Sequence, residues 1–159
     1  DASHRMDEIE AFLAAAREEI TEHGSKVVLI EEDGERPAYG FTIGLSGAAK
    51  HPEVLIVGLD DAEDGGRMHD LLDAVAERVL GGEPLVVGQR DSSLLEGHLL
   101  GVRPIDAVHT NDWLAIGVAV LGRDDFPAVQ LLWPDRFGRL PIDLHCEAKV
   151  VDAQPVLGS

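Results

Sequence analysis

From Tyr39 to Ser46 the chain alternates large and small residues. Tyr39, Phe41, Ile43 and Leu45 share one side of an extended strand, and Gly40, Thr42, Gly44 and Ser46 share the other. Such a strand has a bulky face that belongs in a core. Its other face is nearly bare, so a helix, a second backbone or a flat ligand can come close to it. Helix packing is the simplest of these occupants, and a ligand is the informative one. A few residues on, Val54–Leu59 is apolar throughout, the pattern of a strand covered on both faces.

The elements around these strands read as follows. Asp7 and Glu10 suit a capping box, and Ile9, Phe12, Leu13, Ala16 and Ile20 follow at helical spacing up to His23-Gly24. Lys26–Glu31 and Tyr39–Leu45, joined by a turn with Asp33-Gly34 and Pro37, read as a hairpin. Ser46–Glu53 is a small, polar loop. Met68, Leu71, Leu72, Val75, Ala76 and Val79 make the stripe of a second helix that ends at Gly81-Gly82, with Pro84–Gly88 returning as a strand to complete a crossover unit. Asp91–His98 reads as an exposed loop, Leu99–Pro104 as a strand and Ile105–Asn111 as a second polar loop. Trp113–Gly122 suits a helix capped by Asn111 or Asp112 and stopped by Gly122, although Ile116, Val118 and Val120 also suit a strand. Pro127–Trp133 is the last clear strand, and the chain beyond Pro134 reads as turns.

These elements make an α+β fold: a single domain with a mixed, mainly antiparallel sheet covered by two or three helices. With 159 residues, 45% of them hydrophobic, the chain can bury one core. Residues 1–6 read as a vector-derived or disordered extension and 7–159 as the domain. No apolar run approaches the roughly 20 residues that span a bilayer, and no leader pattern is present, so a cytoplasmic location is expected. The single Cys146 excludes an internal disulfide framework and a multi-thiolate metal site. A net charge of -17 opposes nucleic acid and acidic lipid. A small molecule or peptide is the expected partner, and a homodimer is compatible with the sequence.

Chemistry concentrates in Trp133–Arg139. Pro134 holds its neighbour extended, Asp135 can accept from nearby amides and Gly138 can take positive φ. The turn would then present Arg136 and Arg139 as planar forks beside the flat Trp133. The competing reading is an ion-paired structural turn with Trp133 in the core. His51 precedes Pro52 in a loop, where it either acts as acid, base or ligand or bonds backbone. His109 with Asp112 invites the same two readings. Asp143–Glu147 holds four ligand-type side chains too closely spaced for one ion. Cys146 lacks an evident base, and His69 and Asp73 fall on the polar side of their helix. No metal site is expected. No phosphate-loop, dinucleotide or nucleophile-elbow spacing occurs.

Three segments together, Tyr39–Leu45, His51–Leu59 and Phe126–Pro141, resemble the bacterial family catalogued as domain of unknown function 4262. Its pattern carries an aromatic-Thr-Ile-Gly-Leu strand, a His-Pro-Glu turn and a Gln-Leu-x-Trp-Pro-Asp segment, which fall here at Tyr39–Leu45, His51–Glu53 and Gln130–Asp135. The chain departs from the pattern at Ile142, where an aromatic is usual, and in Asp143–Val150. The resemblance implies a compact domain and no particular activity.

The expected function is therefore binding of a small organic ligand or peptide in a groove between the Tyr39–Leu45 strand and the Trp133–Arg136 turn, with Tyr39, Thr42, His51, Trp133, Asp135, Arg136 and Arg139 as its residues. The alternative is an enzyme. One form is a flavin-dependent oxidoreductase distantly similar to the split barrels, with Thr42, Ser46 and Lys50 toward the flavin phosphate. The other is a hydrolytic or peptide-tailoring enzyme using His51.

Overall fold

The computed structural model describes residues 2–59, 67–91 and 99–158. Along the chain the elements are α1 (Ala2–His23), β1 (Lys26–Ile30), β2 (Tyr39–Ile43), α2 (Leu45–Ala48), β3 (Glu53–Val57), α3 (Arg67–Leu80), β4 (Arg90–Asp91), β5 (Leu100–Pro104), α4 (Ala107–Trp113), α5 (Ala115–Leu121), β6 (Ala128–Leu132) and α6 (Ala148–Ala153). The strands form one sheet in the order β1-β2-β3-β6-β5-β4. Among the described residues only β3 and β6 pair in parallel; the other described pairs in the sheet are antiparallel. The fold is α+β, with the mixed, mainly antiparallel sheet that the sequence leads one to expect.

Alternation along the central strands divides the core in two. Val54 and Ile56 of β3, with Val129 and Leu131 of β6, face α3, whose whole apolar stripe from Met68 to Val79 is buried. Leu55 and Val57, with Tyr39, Phe41 and Ile43 of β2, face α1, α4 and α5. Burying each such side chain is worth about 1.5–3 kcal/mol, which is why both faces need helical cover.

The bare face of β2 takes α3. A Cβ placed on Gly40 would lie 2.9 Å from Leu72 Cδ1 and 3.1 Å from Met68 Sδ, so the glycine is where helix and strand meet. Helix packing uses that face at Gly40, while Gly44 lies against the Gly24 carbonyl and Thr42 and Ser46 bond Glu53.

Several local expectations are corrected. Residues 2–6 continue α1 as helix, so Asp7 does not start it. Ile105–Asn111 is largely helix α4, and α6 lies within the stretch expected as turns. Of the stretch Trp113–Gly122, Ala115–Leu121 is helix α5, ended by Gly122 at φ 72°, while Asn111 and Asp112 lie within α4 and do not cap it. Pro84–Gly88 is not a strand: its amides are held singly, Leu85 by His51 and Gly88 by the Val102 carbonyl. The parallel partner of β3 is consequently the distant β6, and the crossover spans α3, β4, β5, α4 and α5. Most of the loop expected at Asp91–His98 lies outside the described residues.

Candidate functional site

A cleft opens on the face of β5 turned away from α3. Leu100 and Val102 point into the α3 core, which leaves Gly101 and Arg103 on the opposite face. Gly101 carries no side chain, and Leu140 uses that space: a Cβ there would sit 2.6 Å from Leu140 Cδ1. Leu140 begins a tight turn in which Asp143 Oδ2 accepts the Leu140 amide at 2.8 Å and the Asp143 amide donates to the Leu140 carbonyl at 2.8 Å. Arg90 of β4 reaches across and donates to both Asp143 oxygens, at 2.9 and 2.6 Å. This fork, together with the Leu140 amide, holds the Asp143 carboxyl down at about 2.

Sheet edge and turn are thereby clasped around a hollow of about 320 Å³. Leu132, Leu140 and Gly101 form its floor, and Val87 and Ile142, 54% and 44% exposed, form an apolar rim. Gln89, Arg90 and Arg103 are the polar side chains of its wall. Nε and Nη2 of Arg103 lie 3.5 Å from the Gly158 carbonyl, at the outer limit of a hydrogen bond, and among the described residues no carboxylate pairs with it.

The neighbouring turn is built around Asp135, which is buried. Its carboxylate accepts the amides of Phe137 (2.9 Å), Arg139 (2.9 Å) and Glu147 (3.0 Å), and Arg139 Nε at 3.1 Å. Burial pushes this carboxyl up, but the amides of Arg139, Glu147 and Phe137 and then the Arg139 side chain outweigh it and hold the group at about 2. Arg136 projects outward, its Nε 3.3 Å from Glu147 Oε1, and its guanidinium and that of Arg139 each lie 4.9 Å from the Phe137 ring.

The family described as Domain of unknown function (DUF4262) matches residues 19–147. The chain belongs to this family. No curated protein and no solved structure matches the chain.

In this DUF4262 protein the eye-catching residues of the three signature segments are tied to the scaffold. Thr42 Oγ1 donates to Glu53 at 2.9 Å and accepts the Val54 amide at 3.0 Å. Glu53, 1% exposed, accepts further bonds from the amides of Gly44, Leu45 and Ser46 and from Ser46 Oγ. The Thr42 and Ser46 donors that would hold a flavin phosphate therefore hold a carboxylate of the chain itself. His51 uses both ring nitrogens: Nδ1 donates to the Pro52 carbonyl at 2.7 Å, and Nε2 accepts the Leu85 amide at 3.0 Å. Both nitrogens are thus bonded to backbone groups in the fold. Trp133 donates Nε1 to the Val57 carbonyl at 2.7 Å and exchanges two bonds with Gln154. Gln130 fastens the chain end in the same way, through Pro155 and Leu157.

The seven residues expected to border one groove are thus dispersed. Tyr39 lies on the α1–α5 side of the sheet, edge-on to Trp113 at 4.8 Å, whereas Trp133 packs on the α3 side. Thr42 and His51 sit with Glu53 at the level of Ala128, five residues before Trp133 on the adjacent strand. At about 3.3 Å per residue the separation is roughly 16 Å. Asp135, Arg136 and Arg139 alone stay together, beside the cleft. Of the cleft's own residues, Leu140 and Ile142 fall in or just after the Phe126–Pro141 segment, whereas Gly101 and Arg103 carry no motif. The one available signal is the Gly101-Arg103 pair on a single face of a short strand, and only the strand pairing gives it meaning.

The remaining candidates resolve simply. Among the described residues no group of three His, Cys, Asp or Glu side chains is placed to hold a metal ion. Cys146 Sγ donates to the Arg139 carbonyl at 3.4 Å, and burial, then the Asp135 charge, pushes its thiol up, away from the thiolate a nucleophile needs. Asp112 pairs with Arg36, which also lies over the Trp113 ring at 4.2 Å. His69 stays half exposed on the polar side of α3. No described helix is long and apolar enough to cross a membrane.

Proposed function

We propose that this protein binds a small organic ligand in the cleft between β5 and the Leu140–Asp143 turn. The observation that carries the reading is the cleft's construction: an apolar floor and rim, a volume of about 320 Å³ and a few polar side chains, Gln89, Arg90 and Arg103, in its wall. Ligand sites have this make-up, concave and mostly apolar with a few placed polar groups, and they start near this size. The groove expected from the sequence moves accordingly. It keeps the side nearest the Trp133–Arg139 turn and gives up the Tyr39–Leu45 strand, whose bare face is taken by α3, the Glu53 carboxylate and the Gly24 backbone.

The clasp of Arg90 on Asp143 supports the same reading, because it sets the walls before a ligand arrives and so lowers the ordering cost of binding. The test is a ¹⁵N–¹H titration of the whole chain against a library of ring-sized organic compounds. Binding in the cleft moves the amides of Gly101, Leu132, Leu140 and Ile142 as one group. Shifts centred elsewhere, or none up to millimolar ligand, would sink the proposal.

A further inference from the structure

Resting on that reading of the cleft, we infer that its ligand is a monoanionic carboxylate on a compact apolar body, read by Arg103. Two arginines line the hollow, and they differ in what they have left to give. Arg90 places both terminal nitrogens on the Asp143 carboxylate, so the pair is internally neutral. Arg103 meets one backbone carbonyl at 3.5 Å and, among the described residues, no carboxylate. Acidic residues outnumber basic ones 30 to 13 in this chain, so a half-buried arginine with no acidic partner among the described residues stands out from its own composition.

Several backbone donors in the wall are already committed. The Gly88 amide bonds Val102, the Gln89 amide bonds Val86 and the Val102 amide bonds Gln89. The guanidinium fork is therefore the group that can recognise charge, and its planar geometry matches a carboxylate. One positive charge balances a monoanion. A phosphate monoester, at about -1.5 to -2, would bring excess negative charge into a chain of net charge -17. The rest of the cleft is aliphatic and favours an apolar body joined to that carboxylate. A free acid and a peptide C-terminus share this chemistry.

The experiment compares phenylacetate with phenylacetamide by ¹⁵N–¹H titration of the wild-type chain, in ~0.15 M salt to screen the acidic surface beyond about 8 Å. The acid is expected to bind about tenfold more tightly, the worth of one good charge-assisted contact, with the largest shifts at Gly101, Arg103 and Leu140. Arg103→Gln is expected to bring the acid down to the amide's affinity and leave the amide unchanged, while Arg103→Lys keeps part of the preference. N-acetyl-leucine against 4-methylpentanoate separates the sources: tighter binding of the first assigns a peptide terminus, tighter binding of the second a free acid. Equal binding of acid and amide to wild-type protein overturns the ligand class and leaves the cleft standing. Binding of neither overturns both, and neither result depends on a variant that must fold.

Discussion

The turn at Asp135 and the cleft at Arg103 adjoin, yet they handle charge in opposite ways. Asp135 is buried and receives four donors. Arg103 lines an open hollow and meets one carbonyl at hydrogen-bonding limit. A polar group whose bonds are all made inside the chain holds the fold and has little left for a ligand. A polar group with bonding capacity facing a cavity is where recognition can occur. Substitutions at the two kinds of position should separate cleanly, the first acting on stability and the second on binding.

The largest effect is expected at Glu53, the scaffold carboxylate with most donors. Glu53→Ala leaves the Gly44 and Leu45 amides without their acceptor in a buried site. At about 1–3 kcal/mol for each orphaned group, a loss of roughly 4 kcal/mol is expected in urea unfolding, much of the 5–15 kcal/mol that holds a typical domain. A loss below about 1 kcal/mol would show that the loop finds other partners. Asp135→Asn comes next. It keeps the shape but puts an NH2 donor where one oxygen accepted two bonds, so two of the four are lost and the other two weakened; it should lower the melting temperature by about 5–10 °C with cleft binding reduced only through fold stability.

Acid should act through the same carboxylates. Asp135 and Asp143 are held at about 2 in the fold, against 3.8 for an ordinary aspartate. A depressed folded value means that the unfolded chain takes up protons first. The stabilisation is therefore complete above about pH 4 and drains away as the pH falls toward 2. Urea midpoints at pH 5, 3.5 and 2.5 should fall steeply in the wild type and less steeply in Asp143→Asn. Equal slopes would mean that the Arg90 clasp contributes nothing to folding.

Trp133→Phe should cost about 1 kcal/mol, since it removes the Nε1 bond to Val57 and leaves that carbonyl to find water. The smallest stability effect is expected at Arg103→Gln, within about 0.5 kcal/mol of wild type. Denaturation of that variant is the sharpest test of the comparison. A loss above about 1.5 kcal/mol would make Arg103 part of the scaffold and erase the distinction between the two regions.

How much of this was legible beforehand varies by element. The stripe of α3 could be read residue by residue, because six apolar side chains at helical spacing have one way to be buried together. The β1–β2 hairpin was equally readable from its turn. The signature residues announced themselves but not their purpose: Thr42, His51, Trp133 and Asp135 looked like binding groups because their side chains are polar or flat, and each proved occupied by a backbone partner brought in by folding. Arg103 and Gly101 gave only the weak signal of sharing one strand face, since a lone arginine in a short strand is ordinary until its neighbours are known.

The sequence by itself determined the α+β class, the hairpin and the central helix, because hydrophobic spacing and turn residues act over a few positions. Tertiary structure alone decided that β3 pairs in parallel with β6, which lies more than 70 residues further along. That pairing placed Thr42 and Trp133 at opposite ends of the strands, set α3 against Gly40 on the bare strand face and left Arg103 facing a hollow. The physical reason is that burial pattern says which side of an element is covered, whereas the partner of each polar group depends on strand order and register, which no local spacing encodes.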